Sequence, residues 1–72
     1  EKTMNLMEGN NALEFIVRRT ATKHTIKRAV EMLFDVEVER VNTKIAKTGK
    51  HAIVRFKPDY DAEDIGMRIG VF

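Results

Sequence analysis

Apolar residues in this chain recur first at every second position, then at every third or fourth, then at every second again. That sequence of periods outlines the fold. Ala12 to Arg19 alternates: Leu13, Phe15 and Val17 share one face, while Glu14, Ile16 and Arg18 share the other. A period of two predicts a strand, and Ile16 on the polar side predicts that this side is partly covered. Thr20-Ala21-Thr22 ends the run, and Thr22 suits an N-cap. From Lys23 to about Phe34 the period lengthens. Ile26, Ala29, Val30, Leu33 and Phe34 form one stripe, the mark of an amphipathic helix with that stripe on the core. Lys23, Lys27 and Glu31 fall on or near the opposite side.

Alternation returns at Val36-Glu37-Val38-Glu39, but its parity then shifts. Val36 and Val38 are even; Val41, Thr43 and Ile45 are odd. One extra residue near Glu39-Arg40 keeps both sets on the same face, which predicts a β-bulge. Ala46 to Lys50, centred on Thr48-Gly49, reads as a hairpin loop. His51 to Lys57 reads as the return strand, with Ala52, Val54 and Phe56 inward, Ile53, Arg55 and Lys57 outward, and Pro58 as its stop. Asp61 is placed to cap a last helix from Ala62 to about Ile69. Glu63 and Asp64 suit its first turn, Ile65 and Ile69 face the core, and Gly70 is its stop. Before the first strand, Glu1 to Glu8 reads as a short helix with Met4 and Met7 on its apolar side, followed by a Gly9-Asn10-Asn11 turn. A right-handed crossover followed by a hairpin sets the third strand between the first two. The expected fold is α+β: a three-stranded, mostly antiparallel sheet of order 1-3-2 with a crossover helix, a C-terminal helix and a short N-terminal helix.

Seventy-two residues allow one small domain, 1–72, which buries only about 60% of its unfolded surface. The chain has no cysteine, so disulfides and thiolate metal sites are excluded, and a binding partner is the remaining source of extra stability. No apolar run approaches the roughly 20 residues of a transmembrane helix, and no signal peptide is visible. The start at Glu1 without Met is what a fragment, or the ordered part of a longer protein, would show.

Charge changes the picture most. The net charge is only +2, yet all but three of the 13 Lys and Arg lie in two windows without a carboxylate. One holds Arg18, Arg19, Lys23, Lys27 and Arg28. The other holds Lys44, Lys47, Lys50, Arg55 and Lys57. A polyanion meets a far stronger local field here than the net charge implies. Lys23 and Lys27 also sit where the helix dipole disfavours cations, so a folding requirement does not place them there. The expected topology brings the two windows together, with Arg18 and Arg55 on outward faces of neighbouring strands. Phe15 and Phe56 point inward, so a base-stacking platform is not expected. Contacts to phosphate and sugar fit better.

Other chemistry is absent or only mimicked. No nucleophile elbow or catalytic set is present, so no enzyme activity and no cofactor is expected. His24 and His51 lie far apart, each beside lysine, and read as surface residues. Thr48-Gly49-Lys50-His51 lacks the first glycine and the hydroxyl residue of a phosphate loop. Asp59, Asp61 and Glu63 begin like a calcium loop but place Asp64 where glycine is required. Capping explains these acids. Gly66 and Gly70 have Gly-xxx-Gly spacing in a helix too short and polar for that motif.

Three stretches taken together carry a resemblance: Glu1-Lys2-Thr3-Met4; Ala21-Thr22-Lys23-His24-Thr25-Ile26-Lys27 running on to Leu33-Phe34; and Val36-Glu37-Val38 leading to Val41-Asn42-Thr43. The chain resembles the universal large-subunit ribosomal protein L23 family over nearly its whole length. The resemblance implies a structural, cytoplasmic ribosomal protein at the rim of the peptide exit tunnel, bound to large-subunit ribosomal RNA, chiefly its third domain, beside neighbouring ribosomal proteins. It implies RNA contacts through Lys2, Thr3, Arg18, Arg19, Lys23, Lys27, Asn42, Thr43, Lys44, Lys47 and Lys50; the charge windows add Arg28, Arg55 and Lys57. It further implies a docking patch of Glu1, Phe34 and Asp35 for signal recognition particle, the translocon or a ribosome-associated chaperone such as trigger factor. For Phe34, core packing is the competing assignment. The motif's serine and the family segment before Glu1 are not in this sequence. The short hairpin resembles archaeal and eukaryotic members, and a deep reach into the tunnel is not expected of it. The alternative function is a free-standing protein-interaction module whose basic surface is only solvated.

Overall fold

The computed structural model describes residues 4–7 and 9–69. The elements run β1 (Met4–Met7), β2 (Ala12–Val17), α1 (Lys23–Phe34), β3 (Val38–Ala46), β4 (Gly49–Phe56) and α2 (Ala62–Ile69). The sheet has four strands in the order β1-β2-β4-β3, and every neighbouring pair is antiparallel. The three strands expected from the sequence keep their expected order, with β4 between β2 and β3. The expected N-terminal helix is replaced by strand β1, which pairs with β2 from Met4↔Phe15 to Met7↔Ala12. Glu1 to Thr3 and Glu8 of that expected helix lie outside the described residues. Four residues with two methionines fit either period; pairing to the free edge of β2 decides it.

Both helices lie on one face of the sheet. Leu13, Val54 and Val41 are register partners across three strands, and Ala52, Val38 and Phe56 share their side. Ile26 and Val30 of α1 and Ala62 and Ile65 of α2 close over them. Helix α1 lies over β3, and α2 over β1 and β2. The expected bulge is present: Val38 pairs with Phe56, whereas Arg40 pairs with Arg55, so Glu39 is the extra residue. The hairpin is tighter than expected, since Ala46 pairs with Gly49 and only Lys47 and Thr48 turn. Neither turn residue has positive φ; Gly49 follows at φ 131°. Thr22 caps α1 as expected, its hydroxyl accepting from the Thr25 N–H at 3.2 Å.

The helix stripe is narrower than its sequence pattern. Ile26 and Val30 are buried and Phe34 is half-buried, but Ala29 is exposed and Leu33 is 75% exposed. Helix α1 sits over β3, so only one i, i+4 line meets the core and the flanking residues overhang it. Glu31, expected on the outer side, instead accepts from the Val38 N–H at 3.0 Å and ties α1 to the start of β3.

Asn11 joins three parts of the chain. It has φ 51°, a left-handed conformation that Asn tolerates better than most residues. Its Nδ2 donates to Tyr60 O at 2.9 Å and Phe56 O at 3.2 Å, with Lys57 O at 3.4 Å. Its Oδ1 accepts from the Ala62 N–H at 2.9 Å, so it caps α2 from the turn before β2. Asp61 also caps α2, accepting from the Glu63 N–H at 3.1 Å.

Candidate nucleic-acid interface

The fold divides the second basic window. Its hairpin half comes against the loop before α1, where Lys50 pairs in register with Val17 and its Nζ donates to the carbonyls of Ala21 and Arg19. This gathers Arg18, Arg19, Lys23 and Lys47 at one end of the sheet, all exposed. Among the described residues, none of the four has a carboxylate within 4 Å. Lys27 and Arg28 continue the exposed cations along α1, and the first turn of α1 has no acidic residue. Lys50 itself is held by backbone carbonyls and positions the hairpin against this loop.

The far half of that window lies at the other end, beside acids that are remote in sequence. Arg55 Nε is 3.2 Å from a Glu39 carboxylate oxygen, and Lys57 Nζ is 3.0 Å from Glu37. That contact, first its hydrogen bond and then its charge, raises the Lys57 pKa above its usual value. Arg18 and Arg55 are therefore not neighbours. Arg55 pairs with Ala12, which places Arg18 roughly 20 Å along the strand at about 3.4 Å per residue. Absence of acid in a stretch of sequence did not mean absence of acid in space, because Glu37 just before β3 and Glu39 at its bulge come beside these cations.

Between the two ends lies the outer face of the sheet, which neither α1 nor α2 covers. Lys44 and His51, register partners on this face, both approach Glu14, at 3.7 and 3.3 Å. The His51 Nε2 also bonds the Thr48 hydroxyl at 2.7 Å, so this histidine braces the hairpin. Asn42 is exposed on this face, while Thr43, its neighbour in β3, is half-buried on the core side. Arg40 was missed because it stands between Glu39 and a neutral segment, outside both windows. The bulge was the signal that could have found it, since after Glu39 the even positions Arg40, Asn42 and Lys44 all face outward.

Of the expected docking patch, Phe34 and Asp35 are described and Glu1 is not; Lys2 and Thr3 also lie outside the described residues. Phe34 stacks on Phe15 with ring centroids 6.5 Å apart and 15° between planes, and it packs half-buried against the core. Asp35 follows at φ 54° and is exposed. An apolar groove of about 270 Å³ runs beside this pair, between the Phe15–Val17 end of β2 and the overhanging side of α1. Nearby, burial and then the charges of Glu37, Asp35 and Asp59 push the Tyr60 phenol above its usual pKa. Among the described residues, no group of His, Asp and Glu could hold a metal ion, and no helix is long and apolar enough to cross a membrane.

Comparison with known proteins shows the family. Residues 1–65 match the family model described as Ribosomal protein L23. The chain is 50% identical over 72 residues to the large ribosomal subunit protein uL23 of Picrophilus torridus, covering 100% of this chain and 88% of that protein. It is 48% identical over 73 residues to the uL23 of Methanothermobacter thermautotrophicus, covering 100% of this chain and 85% of that one. Both relatives are archaeal, in line with the short hairpin. A match over most of the chain, joined to a basic end built by the fold itself, removes the free-standing interaction module and the enzyme from consideration. The chain belongs to the ribosomal protein L23 family, as a structural, non-enzymatic ribosomal protein.

Proposed function

We propose that this protein is a single RNA-binding unit that grips large-subunit ribosomal RNA with the basic end of its sheet. Its place is that of a structural constituent of the large subunit in the cytoplasmic ribosome, with ribosomal RNA and ribosomal proteins as partners. The gripping residues are Arg18, Arg19, Lys23, Lys27, Arg28, Lys44 and Lys47, with Lys50 holding the hairpin in place. Lys2, Thr3, Asn42, Thr43, Arg55 and Lys57 complete the contact set. The observation that carries the reading is the exposed cluster at the start of α1 and the hairpin tip, formed from separate parts of the chain and free of carboxylates among the described residues. Such a cluster suits phosphates on a shaped RNA surface rather than bases.

The finer placement is the rim of the peptide exit tunnel on the third domain of the RNA. A two-residue turn gives the hairpin little reach into the tunnel. Glu1, Phe34 and Asp35 form the docking patch for signal recognition particle, the translocon or a ribosome-associated chaperone. The partial exposure of Phe34 and the groove beside it support that use.

The test is titration of the chain with a domain-three fragment of large-subunit RNA across a salt series, against an unrelated RNA of equal length. The expected result is a preference for the cognate fragment that persists at physiological salt, with a log–log slope that scales with the phosphates neutralised. Equal, weak binding to both RNAs would overturn the grip.

A further inference from the structure

The outer face of the sheet carries a second feature that the basic end does not explain. Between β3, β4 and the turn before β2 lies an open recess of about 200 Å³, lined by Asn10, Ala12, Arg40, Asn42, Ile53 and Arg55. Its floor is aliphatic: Ala12 is buried, and Ile53 is half-buried on a face that neither α1 nor α2 covers. Its walls are two guanidinium side chains and two carboxamides.

The arrangement is unfavourable for the fold alone. Arg40 and Arg55 are register partners in an antiparallel pair, and like charges directly opposite destabilise such a pair. Glu39 offsets only one of them, 3.2 Å from Arg55 Nε, and among the described residues no carboxylate lies within 4 Å of Arg40. Glu14, which shares a rung with Ile53 and Asn42, has its carboxylate drawn toward Lys44 and His51, away from the recess. The recess therefore offers positive charge, an apolar floor and amide groups that both donate and accept.

We infer that this recess takes one unpaired nucleotide of the bound RNA, with Arg40 on a phosphate, the base against Ile53 and Asn42 at its edge. This rests on the proposed RNA grip and adds a base-reading position to it. A concavity of this size admits a single base rather than a duplex edge, and guanidinium planes and amides are the groups that read unstacked RNA bases. Charge complementarity favours a nucleotide: the anionic phosphate answers the unpaired Arg40, while the flat, largely apolar base covers Ile53. An acidic peptide would satisfy the arginines and leave the floor uncovered.

The experiment uses the full chain and the domain-three RNA fragment. Arg40→Ala is expected to lower the salt slope by about 1, as loss of one phosphate contact does. Asn42→Ala is expected to weaken binding about tenfold with the slope unchanged. Unpaired nucleotides of the fragment are then replaced one at a time by abasic residues. One position should weaken the native protein about tenfold and leave Asn42→Ala unaffected; circular dichroism checks that each variant is folded. If Asn42→Ala and Ile53→Ala bind as the native chain does while Lys23→Glu with Lys27→Glu does not, the grip stands and the nucleotide site is overturned. If the native chain shows no preference for the fragment, both are overturned. Unchanged RNA affinity with loss of an acidic ribosomal-protein partner would assign the recess to protein and overturn the inference as well.

Discussion

Replacing Asn11 with alanine should cost this protein a large share of its stability, although Asn11 sits in a turn and is only partly buried. Its side chain makes three well-formed hydrogen bonds, to Tyr60 O, Phe56 O and the Ala62 N–H, and a longer contact to Lys57 O. At about 1 kcal/mol net for each of the three, their loss costs about 3 kcal/mol. Alanine must also hold φ 51°, which adds about 1 kcal/mol. The total of about 4 kcal/mol compares with about 4–11 kcal/mol for a domain of 72 residues at 0.05–0.15 kcal/mol per residue. Urea denaturation followed by circular dichroism reads the change directly. With a slope of about 1–2 kcal/mol per molar, the midpoint should fall by about 2–4 M, or the chain should be unfolded at the outset. Asn11→Gly separates the two contributions, because glycine accepts the positive φ and lacks only the hydrogen bonds. It should recover about 1 kcal/mol relative to alanine. Asn11→Asp keeps an acceptor for the Ala62 N–H but turns a carboxylate toward three carbonyls, and should land near alanine. A native-like midpoint for Asn11→Gly would refute the assignment of stability to these bonds.

Lys23→Glu with Lys27→Glu should leave the free protein as stable or slightly more so, since carboxylates suit the start of α1, while RNA affinity falls sharply; clear destabilisation with intact binding would contradict the proposed use of these lysines. Lys57 and Tyr60 both have pKa values raised above 10.5 and 10.0, so the folded state holds protons that the unfolded chain releases. The stability linked to them is therefore whole below about pH 10 and is lost as pH rises through the folded values; the urea midpoint should fall in that alkaline range, less steeply in Tyr60→Phe. Glu31→Ala should cost about 1 kcal/mol by leaving the Val38 N–H without its acceptor, and Glu31→Gln should restore most of it in the same assay. Gly49→Ala meets no crowding, its nearest neighbour being Ile16 Cγ2 at 3.7 Å, but φ 131° strains any residue with a Cβ; about 1–2 kcal/mol should be lost.

What could be read from the sequence was local and periodic. Helix α1 with its Thr22 cap, the parity shift at Glu39 and the β3–β4 hairpin each follow from spacing, and the structure reproduces them. β1 was misread because four residues leave too little period to separate strand from helix, and the edge of β2 that pairs with it is remote information. Leu33 was misplaced because a helix stripe says which residues share a side, not how far the sheet beneath extends. The charge windows were half legible. Arg18, Arg19 and Lys23 stay together because they are close in the chain, and the β2–β4 pairing adds Lys47, whereas the pairing of Arg55 and Lys57 with Glu39 and Glu37 depends on how β3 lies against β4 and its end. Asn11 was invisible as a hub, since its partners lie 45 to 51 residues away.

The extra residue at Glu39 is slack in the strand: it adds length without changing which side its neighbours take. Beyond it, Val41 lies beneath the helices, while Arg40, Asn42 and Lys44 face outward. Removing Glu39 would leave Val38 opposite Phe56 and Arg40 opposite Arg55 as consecutive pairs, so plain alternation would keep Val38 and Val41 inward and the cations outward. A substitution or a deletion at Glu39 touches one ion pair; a deletion between Val41 and Ala46, where every residue has its own partner, would slip the register and turn part of the strand inside out. Variation in length is therefore tolerable at the Lys47–Thr48 turn and at Glu39, and forbidden in the paired run between them.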